Sequence, residues 1–245
     1  MRTSITTTAM RMIEAAAGPV AEDEAERTLA MLLAWFSPAL PVGAFSYSHG
    51  LETMVEDGAI HDRAGAFAAI EAALVHGAGR SDAVLLAHAY RAAAAGDTAR
   101  FGEIRALALA LSPSRERHEE AVRQGNAFVE ITGAVWPGQN LVGEDDAVPF
   151  PIAVAAAGAA HGIALGALSQ AFVTAFAANL VSAAVRLVPL GQTDGQRLTR
   201  DLAPVAAEVA RTARAAPLDD VGGFVLGLDL ASMRHECQEV RLFRS

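Results

Sequence analysis

The chain has 245 residues, 52% of them hydrophobic but only 6% aromatic, and a net charge of -9. A core built from Ala, Leu and Val favours helix over strand, and the acidic balance argues against a nucleic-acid surface, whose affinity comes from neutralised phosphates. The single cysteine, Cys237, excludes an internal disulfide and a cysteine-rich zinc site and fits a reducing compartment, so a cytoplasmic location is expected.

In chain order, residues 1–26 lack the basic start and compact apolar stretch of a signal peptide and are expected to form a flexible arm. Thr28 to Phe36 reads as a short apolar helix, stopped where Pro38 and Pro41 disfavour helix geometry. After the loop PALPVGAF, Ser46 or Ser48 is placed to cap a helix running to about Glu56, and Asp57 with Gly58 turns the chain. Asp62, Ser81 and Asp97 stand in cap position before three Ala- and Leu-rich helices. Ser112 and Pro113 read as the N-cap and first position of a charged helix, SRERHEEAVRQGNAFVEI, whose first half is expected to be a solvated face. The longest loop runs from Gly133 to Pro151. Thr193 and Gln196 have capping-box spacing and open a helix to about Ala215. Residues 218–245 mix glycines with polar residues and read as a tail.

Residues 151–185 hold no formal charge, and His161 is their only titratable side chain. Their length admits a membrane hairpin, as in a small helical permease. Against that, the run is dominated by Ala and Gly, contains Gln170, Thr174, Asn179 and Ser182, and lacks a positive flank, with Asp145 and Asp146 before it and Arg186 alone after it. A helix apolar all round is equally the centre of a large bundle. With no strand-like alternation and no internal repeat, the expected fold is all-α: a single-domain bundle of roughly eight to ten helices over residues 27–217, with a central buried apolar helix pair. Ala155, Ala167 and Ala184 are expected to face close neighbours within that pair.

No phosphate-cradling, dinucleotide, zinc-protease or nucleophile-elbow motif is present, so neither an enzyme nor a cofactor is expected. The pairs Asp145–Asp146 and Asp219–Asp220 lack a third carboxylate at helical spacing. Of seven histidines, none shares a helix face with another; only His235 and Cys237 lie close, a weak two-ligand candidate for a soft divalent metal such as nickel or zinc. Two stretches are odd for plain structure. Ser37 to Glu52, SPALPVGAFSYSHGLE, packs prolines, aromatics and hydroxyls into one turn, and Met233 to Ser245, MRHECQEVRLFRS, ends on apolar and basic residues. They supply the candidate partner-binding residues Pro38, Pro41, Val42, Phe45, Tyr47, Ser48 and Glu52, with His235, Glu236, Arg241, Leu242 and Phe243. The two stretches are expected to meet on one surface, with Arg241 anchored to loop carbonyls or to the Tyr47 hydroxyl.

These stretches resemble the signatures of the UreF family of urease accessory proteins, which read close to S-x-A-L-P-V-G-x-F-S-Y-S-x-G-L-E and H-E-x-Q-x-x-R-L-F-R-S. Asn179 to Leu198, NLVSAAVRLVPLGQTDGQRL, is similar to a third segment of that family. The resemblance implies an all-helical, homodimeric, non-catalytic scaffold. It further implies a complex with UreD (also called UreH) and the GTPase UreG that acts on the urease apoprotein to insert nickel, with no membrane or nucleic-acid partner. The chain departs from the pattern at Cys237, where the family often has Thr, and at Glu239 and Val240, where it often has Tyr and Ser; Ser114 to Gly125 matches only loosely.

Overall fold

The computed structural model describes residues 19–245 apart from 139, 140, 144 and 145. Among the described residues the secondary structure is entirely helical, with ten α-helices and two short 3-10 turns. The chain divides into two compact units, residues 1–40 and 41–245. In the first, α1 spans Pro19–Trp35, starting well before Thr28. The arm expected over 1–26 lies mostly outside the described residues.

The second unit holds α2 (Leu51–Glu56), α3 (Arg63–Val75), α4 (Ala78–Ala94), α5 (Thr98–Ala110), α6 (Arg115–Val135), α7 (Phe150–Ala160), α8 (Leu165–Leu187), α9 (Gln192–Ala213) and α10 (Leu226–His235). Asp62 and Asp97 cap α3 and α5 as expected, accepting from the Gly65 and Arg100 amides at 2.8 and 2.9 Å.

Other caps differ from the sequence reading, each for a visible reason. The cap position of α2 is Gly50, at φ +83, rather than Ser46 or Ser48, though the Ser48 hydroxyl still accepts from the Glu52 amide at 3.4 Å; a Cβ at Gly50 would stand 2.7 Å from the Leu228 carbonyl oxygen, so only glycine lets α10 approach. Ser81 lies inside α4, which starts at Ala78, and its hydroxyl accepts from the Gly223 amide at 3.0 Å. The cap of α6 is Ser114 rather than Ser112, with Oγ accepting from the Arg117 amide at 3.2 Å. At α9, Gly191 replaces Thr193 at the cap position and the helix starts at Gln192.

The expected apolar pair is α7 and α8. Every residue of α7 from Pro151 to Ala156 is buried. Helix α8 is long and apolar enough to span a bilayer, but half of its apolar window is buried, and it packs on α2, α3, α4, α7 and α9. Ala155 and Ala184 are buried as expected, whereas Ala167 is exposed near the start of α8. Helix α4 shares the centre, touching α3, α5, α7, α8 and α9. Gly125 of α6 then sets the entry to α7, because a Cβ there would fall 1.8 Å from the Val148 oxygen.

The expected tail is not frayed. Residues 226–235 form α10, which packs on α2 and α6, and Phe243 and Ser245 are buried. Glycines 222, 223 and 227 suggested irregular chain, but Gly223 is a packing device: a Cβ there would stand 2.2 Å from the His76 oxygen.

Candidate functional site

The loop after Pro41 and the last stretch of the chain are joined backbone to backbone. The Ser48 amide donates to the Ser245 carbonyl at 2.7 Å and the Arg244 amide to the Ser46 carbonyl at 2.8 Å; the Ser48 hydroxyl also donates to the Ser245 oxygen. Beneath them Glu52 acts as a three-way acceptor. Its Oε1 takes the Leu242 amide at 2.6 Å, while Oε2 takes the Phe243 amide at 2.9 Å and faces His235 Nε2 at 3.0 Å. The fully buried His235 ring meets Glu116 with its other nitrogen, Nδ1, at 2.7 Å. Both contacts are hydrogen bonds only when both ring nitrogens carry protons.

Helix α6 supplies the second wall. Glu116 Oε1 accepts from Arg241 at 2.7 Å, the Arg115 amide donates to Glu236 at 2.8 Å, and the Ser245 hydroxyl donates to Glu120 at 2.8 Å. Arg241 is thus anchored to Glu116, not to Tyr47 or loop carbonyls. The carbonyl of Phe45 is taken instead by Arg186 of α8 at 2.7 Å, whose guanidinium lies 4.3 Å over the Phe243 ring.

The structure brings most of the expected residues together but divides their roles. Tyr47, Ser48, Glu52, His235 and Phe243 are buried and hold the loop to the chain end, while Val42 and Glu236 are half-buried. Pro41, Phe45, Arg241 and Leu242 are exposed, with Phe45 and Leu242 at 64% and 66% of full exposure. Pro38 is exposed in the first unit. Next to Leu242, Val240 is 82% exposed. The outward layer is therefore a small apolar patch over a charged, hydrogen-bonded base.

Below that base lies a second buried group the sequence reading missed. Glu120 is ion-paired to Arg117, and its Oε1 accepts from Gln124 at 3.0 Å and faces His49 Nε2 at 3.0 Å. Burial disfavours this carboxylate, but the Arg117 charge and the His49 contact outweigh it and hold Glu120 at about 2. Burial pushes His49 down, reinforced by Arg117, which favours the neutral ring. His49 is also the only non-glycine residue with positive φ among those described, at +57, and its ring meets Phe176 edge-on at 5.0 Å. The expected solvated face of α6 is thus corrected: Glu116, Arg117 and Glu120 are buried because α10, the chain end and His49 bring them partners. A spacing signal was available, since Glu116 and Glu120 recur at i and i+4.

Among the described residues no group of three or more His, Cys, Asp or Glu is arranged to hold a metal. The His235–Cys237 pairing does not form, because both His235 nitrogens face carboxylates and Cys237 is exposed. Of the acidic pairs, Asp146 is ion-paired with Arg105 and Asp220 lies 3.6 Å from Arg80; Asp145 lies outside the described residues.

The comparisons with known proteins converge. The family profile described as UreF matches residues 60–203. A "Urease accessory protein UreF" of Rhodopseudomonas palustris (strain BisA53) is 50% identical over 218 residues, which is 87% of this chain and 92% of the relative. Another, of Rhodopseudomonas palustris (strain HaA2), is 48% identical over 238 residues, 96% of this chain and 100% of the relative. A third, of Methylobacterium sp. (strain 4-46), is 46% identical over 219 residues, 88% of each chain.

Proposed function

The chain belongs to the UreF family of non-catalytic urease accessory proteins, and from that premise we propose that it is a scaffold joining UreD (UreH) and the GTPase UreG on the urease apoprotein for GTP-dependent nickel insertion. It works as a homodimer in the cytoplasm, and the scaffold also modulates the GTPase.

The observation that carries the reading is the composite surface itself. Residues almost 200 apart in sequence are tied together through Ser48, Glu52 and His235, yet Phe45, Val240 and Leu242 are left in water. Fixing an apolar patch on a hydrogen-bonded base lowers the entropy lost on binding and suits recognition better than fluctuation does. The core packing of α7 and α8 favours this reading over a permease, since both helices spend their apolar faces on neighbours within the unit. The test is urease activation in cells that lack their own UreF but carry UreD and UreG. The chain restores activity, and Phe45→Asp and Leu242→Asp each abolish restoration while leaving the melting temperature within a few degrees. No restoration by the intact chain overturns the scaffold role.

A further inference from the structure

A cavity of about 310 Å³ opens beside Arg117, between α4, α5, α6 and the segment leading into α10. It has room for roughly ten waters. Its walls are apolar, including Leu85, Leu111, Pro113 and Met233, but two carboxylates, Asp82 and Asp229, line it. Among the described residues no hydrogen bond reaches the Asp82 carboxyl. The one nearby cation, Arg117, is engaged by Glu120 and lies 2.8 Å from His49 Nε2. Asp229 accepts only the Val225 amide at the start of its own helix, at 2.8 Å. Two carboxyls therefore face the cavity against a single guanidinium, Arg117, that also lines it and is already paired with Glu120, and the exposed apolar residues Phe224 and Met233 complete its wall.

We propose that this cavity receives the cationic end of a lysine or arginine side chain presented by a partner protein, with Asp82 and Asp229 as its counter-charges. Charge complementarity selects that occupant. A half-buried carboxylate with no ion-pair partner has lost part of its hydration, and a cation that reaches it restores the balance. The methylene stem of such a side chain matches the Leu85, Leu111 and Met233 walls while its head reaches the acids. Burial raises both carboxyls above their ordinary values, Asp82 up to about 7, as expected of acids waiting for a counter-charge. The inference rests on the scaffold reading only for the identity of the partner.

The experiment has two arms. In the first, the whole chain is titrated with n-butylguanidinium chloride and followed by amide NMR. Saturable shifts are expected at Ser81, Gly222 and Gly223, and they vanish in Asp82→Asn. In the second, affinities for UreD and UreG, singly and together, are measured for the wild-type chain, Asp82→Asn, Asp229→Asn and the exposed control Glu103→Gln. The two Asn variants bind at least one partner roughly tenfold more weakly or worse, and the control binds as the wild type does. Unchanged partner affinity in both Asn variants overturns the proposal, and if the probe still saturates, the cavity is a site for a free small cation instead. If the wild-type chain binds neither partner, the scaffold reading fails; the cavity's cation preference is then decided by the probe arm, where absence of saturable shifts overturns it.

Discussion

Asp82 and Glu120 share one guanidinium as their neighbour, yet their carboxyls shift in opposite directions. Glu120 gains Arg117, Gln124, His49 and Ser245 and is held at about 2, whereas Asp82 feels the Arg117 charge without a hydrogen bond to it and is pushed up to about 7 by burial, with a smaller push from the Glu120 charge. A raised carboxyl contributes stability that is full below its ordinary value of 3.8 and is lost as the pH rises through about 7. Asp82→Asn removes that loss, so it stabilises the chain above neutral pH by on the order of 2–3 kcal/mol, at about 1.4 kcal/mol per pKa unit with some relief from solvent. Melting temperatures at pH 4 and pH 8 check this: the variant gains at pH 8 and the gap closes at pH 4. An equal gap at both values contradicts it. Replacing Glu52, by contrast, removes hydrogen bonds that the chain end needs. Glu52→Ala strands the Leu242 and Phe243 amides and leaves His235 with one carboxylate, a loss of about 3–5 kcal/mol. Urea denaturation measures it, and a loss under about 1 kcal/mol shows that the chain end is held elsewhere.

At the scale of elements, the alanines of α7 and α8 report how closely the central helices approach. Ala155 is fully buried and Ala184 nearly so, while Ala167 is exposed. Leucine at either of the first two overpacks the core at about 1–3 kcal/mol, and leucine at Ala167 leaves stability unchanged within about 0.5 kcal/mol. Thermal unfolding of the three variants separates them, and equal effects at all three contradict the packing. The helical character and the apolar pair were legible because composition and the absence of alternation both point one way. The caps at Asp62 and Asp97 were legible because an acid directly before an Ala-rich run has one obvious role. Ser81, Ser112 and Thr193 misled because a hydroxyl bonds equally well to a distant amide, as Ser81 does with Gly223. Helix α10 was hidden by glycines whose purpose is close approach, a long-range fact no local pattern carries. Likewise, the loop and chain-end motifs showed that something was there, but Glu116, Glu120 and Arg186 looked like surface charge until the fold supplied their partners.

Over the whole molecule, a net charge of -9 keeps the chain dispersed and leaves its affinities for partners sensitive to salt. Among the described residues much of the apolar exposure lies where the chain end folds back: Phe224 just before α10, Leu226, Leu230 and Met233 on it, and Val240 and Leu242 beyond it, near Phe45 of the loop. The central claim is that the loop and the chain end act together as one recognition surface, whose base is fixed by Glu52, His235 and Glu116 and whose outer layer meets the partner. The most direct measurement is binding of purified UreD and UreG to Phe45→Ala, Leu242→Ala and the double variant, with melting temperature followed in parallel. The account predicts that all three fold as the wild type does, that each single variant loses most of the binding, and that the double variant is little worse than either, because both residues serve one surface. Full binding by both single variants, or losses that simply add, contradicts it.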